Sequence, residues 1–288
     1  MSIYRSVAIQ EQMMQIYEQK LSRWPVPYES VYVNTLYGKT HMIVSGSKGK
    51  PPLLLLPGLA VTAAMWQPNI AAFCQNNLCY ALDVIGDYGK SELDHMERYP
   101  RTGKDYSLWL RQVYERIGIE KAHLIGASNG GYVAINHAVH APEQVEKLVL
   151  LAPSGLDITL KKILPKIFHY LLFPTDANRD ALIHWFLGDN PGCHDAFYRQ
   201  LWLGMQGLPK VPIPILISGN NLRKIRSPVM FIFGERDPTI SAEKGVNRVK
   251  KHIPCAQIVV IPGVGHAMNY EAARQVENLV IAFLGMAV

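Results

Sequence analysis

Six short apolar runs are spread along the chain: Pro52–Leu56, Leu78–Leu82, Ala122–Ile125, Val145–Leu151, Pro228–Phe233 and Gln257–Ile261. Stretches with apolar residues at three- and four-residue spacing separate most of them, which is the signature of helices. The run PLLLL at Pro52–Leu56 has no polar face and stops at Pro57-Gly58. A strand of that kind must be buried on both sides, as in a parallel sheet covered by helices. Strand and helix alternating through short connections therefore predict an α/β chain with a mostly parallel central sheet and helices on both faces.

The spacing predicts helices over Ile9–Leu21, Ala63–Gln75, Ser107–Ile117, Gly131–His140, Glu243–Lys251 and Asn269–Leu284. Val31–Thr35 and Thr40–Val44 flank Leu36-Tyr37-Gly38-Lys39 and read as an antiparallel hairpin. Strands vanish over about Ser154–Leu222. There Phe168, Tyr170, Leu171, Phe173, Trp185, Phe186, Phe197, Tyr198 and Trp202 fall in helix-like segments broken by proline and glycine. The expected organisation is a core of residues 1–153 and 223–288 with a helical cap, 154–222, inserted between two core strands.

At 288 residues the chain can bury one large core, and its 49% hydrophobic and 18% charged content excludes a disordered polymer. The 29 Lys and Arg against 23 Asp and Glu leave +6, but the basic residues are scattered. A nucleic-acid-binding face needs a dense basic stripe, so no nucleic-acid partner is expected. Cys74, Cys79, Cys193 and Cys255 make no zinc or redox motif and read as free buried thiols. The first twenty residues lack the pattern of a secretion signal, and no apolar run reaches membrane-spanning length. The expectation is a cytoplasmic protein whose oligomeric state is open.

The chemistry centres on Gly126-Ala127-Ser128-Asn129-Gly130, set between the run Ala122–Ile125 and the helix that follows. A serine on so sharp a strand-to-helix turn needs small residues two positions before and after it, and is itself held in a strained conformation. Glycines also close ordinary βα turns, so the motif alone leaves both readings open. A serine hydroxyl becomes a nucleophile only when a histidine takes its proton, and the histidine needs a carboxylate to fix its tautomer. Both follow in the order expected of this fold. Asp237 comes in GERDPTI after Pro228–Phe233, and His266 in PGVGHAMN after Gln257–Ile261.

Glu235 is the alternative acid; Asp237 is preferred because its place beside Pro238 suits an outward loop tip. His123, His137 and His140 read as structural or surface residues, since no third ligand completes a metal set. Asp83 and Asp87 read as loop-stabilising hydrogen bonders near the site. Acyl transfer also needs donors for the developing oxyanion. The backbone N–H of Asn129, at a helix start, is one; Leu59, in the loop after the first central strand, should supply the other.

The segments PPLLLLPG, LAVTAAMW, DVIGDYGKS, HLIGASNGG, PVMFIFGERDP and VIPGVGHAMNYE together resemble the α/β-hydrolase family from about Val31 to Leu284. More narrowly, SRWPVPYESVYVNTLYGKTHMIVSG with MWQPNI is similar to bacterial carboxylesterases of the naproxen-esterase group. The resemblance implies an α/β-hydrolase fold, Ser128, Asp237 and His266 as triad, Leu59 and Asn129 as oxyanion donors, and no cofactor or metal. It implies hydrolysis of small carboxylic esters with an apolar acyl or aryl part. Many relatives carry histidine where this chain has Pro57, and Asn129 stands where a bulkier apolar residue or glutamine is frequent. The same triad serves C–C bond hydrolases, acyltransferases and perhydrolases, and the fold also carries non-catalytic ligand-binding modules.

Overall fold

The structure is a computed structural model, and it describes residues 3–157, 165–166, 168–170, 172–187, 200, 202–204 and 215–285. Among these, nine strands form one sheet: β1 (Tyr28–Thr35), β2 (Gly38–Ser45), β3 (Pro52–Leu56), β4 (Leu78–Leu82), the short β5 (Glu92–Leu93), β6 (Ala122–Ala127), β7 (Val145–Leu151), β8 (Val229–Gly234) and β9 (Gln257–Ile261). The order is β1-β2-β4-β3-β6-β7-β8-β9, with β5 beside β2. From β4 through β9 neighbouring strands on this path are parallel, whereas β1, β2 and β4 pair antiparallel. Every residue of β6 and of β8 is buried, as strands covered on both faces must be.

The helices are α1 (Val7–Leu21), α2 (Ile70–Phe73), α3 (Gly103–Ile117), α4 (Asn129–His140), α5 (Asp176–Leu187), α6 (Gly219–Leu222), α7 (Ala242–His252), α8 (Met268–Glu271) and α9 (Ala273–Gly285). Start and stop signals explain the clearest of them. Thr102 and Asp105 cap α3 reciprocally, and Gly118 closes it in the left-handed region at φ 73°. No helix among the described residues is long and apolar enough to cross a membrane.

Three expectations need correction. The helix expected over Ala63–Gln75 is a 3₁₀ turn, Ala63–Trp66, followed by the single turn α2. Pro68 lies between them; it has no N–H to give and disfavours helix in the residue before it. The last helix is divided into α8 and α9 at Ala272, whose φ of −133° lies outside the helical region. Cys255 is exposed, in the turn between α7 and β9, whereas Cys74 and Cys79 are buried and unbridged. Cys193 lies outside the described residues.

Of the cap expected over 154–222, residues 158–164, 167, 171, 188–199, 201 and 205–214 lie outside them. What is described there includes α5, α6 and Gly204, which rests on the core. A Cβ on Gly204 would come within 2.6 Å of Ala60, in the loop after β3, and Tyr88 donates to the Gly204 carbonyl at 3.3 Å.

Candidate active site

The elbow is built from two constraints on backbone approach. Ser128 sits at φ 50°, ψ −114°, a conformation that costs a non-glycine residue about 1–3 kcal/mol. Its neighbours hold it there: the Ser128 N–H donates to Leu151 O, while its carbonyl accepts from Tyr132 and Ser154. A Cβ on Gly126 would stand 2.4 Å from Gly130 O, and one on Gly130 would stand 2.3 Å from Leu56 O. Only glycine fits at either place. Gly130→Ala is therefore expected to destabilise the fold by about 3 kcal/mol or more, read as a lowered midpoint in urea denaturation. A midpoint within error of the parent chain would contradict that packing.

The same close approach carries the loop after β3 against the serine. A Cβ on Gly58 would meet Ser128 Cβ at 3.5 Å. The Gly58 N–H donates to Met65 Sδ at 3.3 Å, and the Ala60 N–H to both oxygens of Asp87 at 3.2 Å. Ala60 itself is left-handed, at φ 61°. The N–H groups on either side of Leu59 are thus committed, whereas that of Leu59 itself has no acceptor among the described residues. Asn129, buried at the first turn of α4, adds a second N–H beside Ser128.

Asp87 thus acts on the loop and not on the serine. Its carboxyl is fully enclosed, and desolvation pushes its pKa up to about 7, although the Tyr88 and Ala60 N–H groups oppose the shift. Asp83 is a second buried anchor, accepting from Ala63 N at 2.7 Å and Lys90 N at 3.0 Å. Both aspartates stabilise loops as expected.

Asp237 and His266 reach Ser128 from the loops after β8 and β9. His266 Nε2 lies 3.0 Å from Ser128 Oγ, and His266 Nδ1 lies 2.7 Å from Asp237 Oδ2. The expected outward loop tip is wrong for Asp237: its side chain is 1% exposed. The loop folds inward because the Asp237 carboxylate collects the N–H groups of Thr239 and Ile240, as well as the Thr239 hydroxyl at 2.7 Å. Glu235 is the exposed one, and it binds the Gly263 N–H instead of turning toward His266.

Burial raises the Asp237 carboxyl, but the adjacent imidazole's charge and hydrogen bond, with the hydrogen bonds from Thr239, win, leaving it below its ordinary value. Burial likewise disfavours a charged His266. The attraction and hydrogen bond of Asp237, with the charge of Glu271, outweigh it, so His266 lies above the ordinary imidazole value. With the Nδ1–H donating a hydrogen bond to the carboxylate, Nε2 faces the hydroxyl as an acceptor.

Two contributors were not singled out from the sequence. Thr239 follows the acid by two residues and closes a side-chain turn on it, a local pattern that D-x-T could have signalled. Glu271 accepts from the Gly265 and Ala267 N–H groups at 2.7 and 3.0 Å, clamping both flanks of His266. No sequence pattern marks that clamp, because α8 must first fold back onto the loop.

His123, His137 and His140 keep structural or surface roles. His137 is buried against Tyr114, with Ser107 Oγ at 3.3 Å, and burial lowers its pKa to about 3. His123 is buried in β6, and His140 is exposed. No group of three or more potential metal ligands exists among the described residues.

Residues 53–279 match the model of the alpha/beta hydrolase family. The chain is 34% identical to the carboxylesterase YbfK of Bacillus subtilis (strain 168), over 94% of this chain and 92% of that protein. The crystal structure of carboxylesterase CesB (YbfK) from Bacillus subtilis superposes with a TM-score of 0.87, covering 98% of this chain and all of that one at 32% identity. The naproxen esterase (carboxylesterase NP) of Bacillus subtilis gives 0.85 at 30% identity, over 96% and 98%. A strained serine elbow on a mostly parallel sheet, with this extent of sequence and structural similarity, makes the chain a member of the alpha/beta hydrolase family.

Proposed function

We propose that this carboxylesterase-type hydrolase cleaves small carboxylic esters with an apolar acyl or aryl part, using Ser128 as nucleophile, His266 as base and Asp237 as its orienting acid. The observation that carries the reading is the unbroken chain of contacts from Ser128 Oγ through His266 to Asp237. Residues 154–222 serve as the cap over the site, with residues 1–153 and 223–288 as the catalytic core. The contact of Gly204 with Ala60 supports this division, because it seats the inserted segment on the loop beside Ser128.

In the reaction, Ser128 Oγ attacks the ester carbonyl while its proton passes to His266 Nε2. The N–H groups of Leu59 and Asn129 receive the oxyanion; being fixed by the fold beforehand, they need no reorganisation as charge develops. The imidazolium then protonates the departing alkoxide, leaving an acyl ester on Ser128. Water resolves it by the same steps, with His266 taking the water proton. A p-nitrophenyl ester series of graded acyl length, compared with a vinylogous diketone, tests the substrate class. Higher kcat/KM on the diketone than on every ester would replace ester hydrolysis with C–C bond cleavage.

The base works only when neutral. His266 is raised above the ordinary imidazole value near 6.5 because Asp237 and Glu271 together outweigh the effect of burial. On the acid side, kcat/KM is therefore expected to climb with pH through a midpoint above that value and then level off. A midpoint clearly below 6.5 would mean that a different group limits the rate.

A further inference from the structure

The chain holds a second serine in line with a histidine and an aspartate. Ser30 Oγ lies 2.6 Å from His41 Nε2, and His41 Nδ1 lies 2.8 Å from Asp83 Oδ2. The groups stand in the same order as Ser128, His266 and Asp237, at comparable distances. The hairpin register explains the meeting. Tyr32 pairs with His41 and Ser30 with Ile43, so Ser30 and His41 are diagonal neighbours on one face of the sheet. Asp83, just past the end of β4, donates its N–H to His41 O, which brings its carboxylate under the imidazole.

The proton positions follow from the contacts. The Asp83 carboxylate also accepts from the Tyr17 hydroxyl at 3.0 Å, Ala63 N at 2.7 Å and Lys90 N at 3.0 Å. A carboxylate so surrounded meets His41 as another donor, so Nδ1 carries the imidazole proton. Nε2 is left as the acceptor, and the Ser30 O–H donates to it. The side chains of His41 and Asp83 are fully buried, with the Tyr32 ring 4.8 Å from the imidazole, while Ser30 is exposed. A buried base and its orienting acid thus stand directly behind a surface hydroxyl.

The strand edge supplies an oxyanion donor. Thr35 and Gly38 close a two-residue hairpin turn, and such a closing pair is hydrogen-bonded, so odd-numbered residues of β1 face β2. Even-numbered ones turn outward: Arg116 Nε reaches the Asn34 carbonyl from the far side at 3.2 Å. On β2, His41, opposite Tyr32, likewise turns its N–H away from β1 to Ser91 Oγ. Ser30 shares the parity of Asn34. Its own N–H therefore points off the sheet, beside its own hydroxyl.

We propose that Ser30 is a second nucleophile of this protein, which takes an acyl group from small activated esters such as aryl acetates. A bond forms between Ser30 Oγ and the acyl carbon as the bond from that carbon to the aryl oxygen breaks. The serine proton passes to His41 Nε2 and from there to the departing phenolate. The products are a phenol and an acyl ester on Ser30.

The test uses the full chain carrying Ser128→Ala, exposed to p-nitrophenyl acetate and followed by intact mass and peptide mapping. Acetylation of Ser30 is expected about a hundredfold faster than that of Ser22, an exposed serine with no histidine behind it, the factor a positioned base supplies. The acetyl group should be missing from its peptide when Ser30→Ala is added to Ser128→Ala. Ser30 reacting no faster than Ser22, or not at all, would overturn the proposal. Ser128 is absent from every arm, so the result stands apart from the reading of the main site.

Discussion

Ser128→Ala is expected to reduce kcat on p-nitrophenyl butyrate by about 10⁴–10⁶-fold while leaving the fold intact. The size of the loss follows from what one oxygen does: the same atom must attack, hold the acyl group and receive the proton back. The binding groups, Leu59 and Asn129 N–H included, survive the substitution, and they account for whatever activity remains. Stability should not fall with activity, since the φ of 50° at position 128 is a strain that alanine bears no worse than serine. A fluorophosphonate should label the parent chain at Ser128 and leave Ser128→Ala unlabelled at that position. Turnover within tenfold of the parent would remove Ser128 from the mechanism.

The second large effect belongs to Asp237→Asn, about 10⁴-fold in kcat with little change in KM. An amide at this position can donate to Nδ1, which moves the imidazole proton to Nε2. The nitrogen facing Ser128 Oγ at 3.0 Å then has no lone pair for the serine proton. Thr239 and Ile240 would still hold the loop through the side-chain oxygen, so the substitution tests the tautomer more than the fold. If Asp237→Asn keeps most of the activity while Glu235→Gln loses it, the acid has been misassigned. The acid limb of the pH profile offers a second check, because removing the Asp237 charge takes away the leading influence holding the His266 pKa up.

Strands of the parallel sheet were the most legible part of the fold. Pro52–Leu56, Leu78–Leu82, Val145–Leu151 and Gln257–Ile261 begin and end where the sequence puts them. Where a strand is covered on both faces, as at Pro52–Leu56 and Leu78–Leu82, the run holds no charged residue and composition delimits it. The elbow was legible for a related reason: only glycine tolerates carbonyls at 2.3–2.4 Å from a Cβ position, so Gly126 and Gly130 write the geometry into the sequence. Helices were read less well where local and distant forces compete. Pro68 should have divided Ala63–Gln75, whereas the break at Ala272 has no residue that announces it.

What the sequence by itself determined is therefore the order of strands and helices, the strained turn at Ser128, and the positions of an acid and a histidine later in the chain. These depend on burial pattern and local sterics, which neighbouring residues specify. Tertiary structure alone decided that the Asp237 carboxylate meets His266, that Glu271 grips both sides of His266, and that Asp87 fixes Ala60 beside the serine. It alone decided that Ser30, His41 and Asp83 stand in one row. Each of these is a hydrogen bond whose partners come together through sheet register, strand order or the folding back of a loop. Such contacts leave no periodicity in a sequence, because their energy depends on where two backbones cross and not on which residues are adjacent.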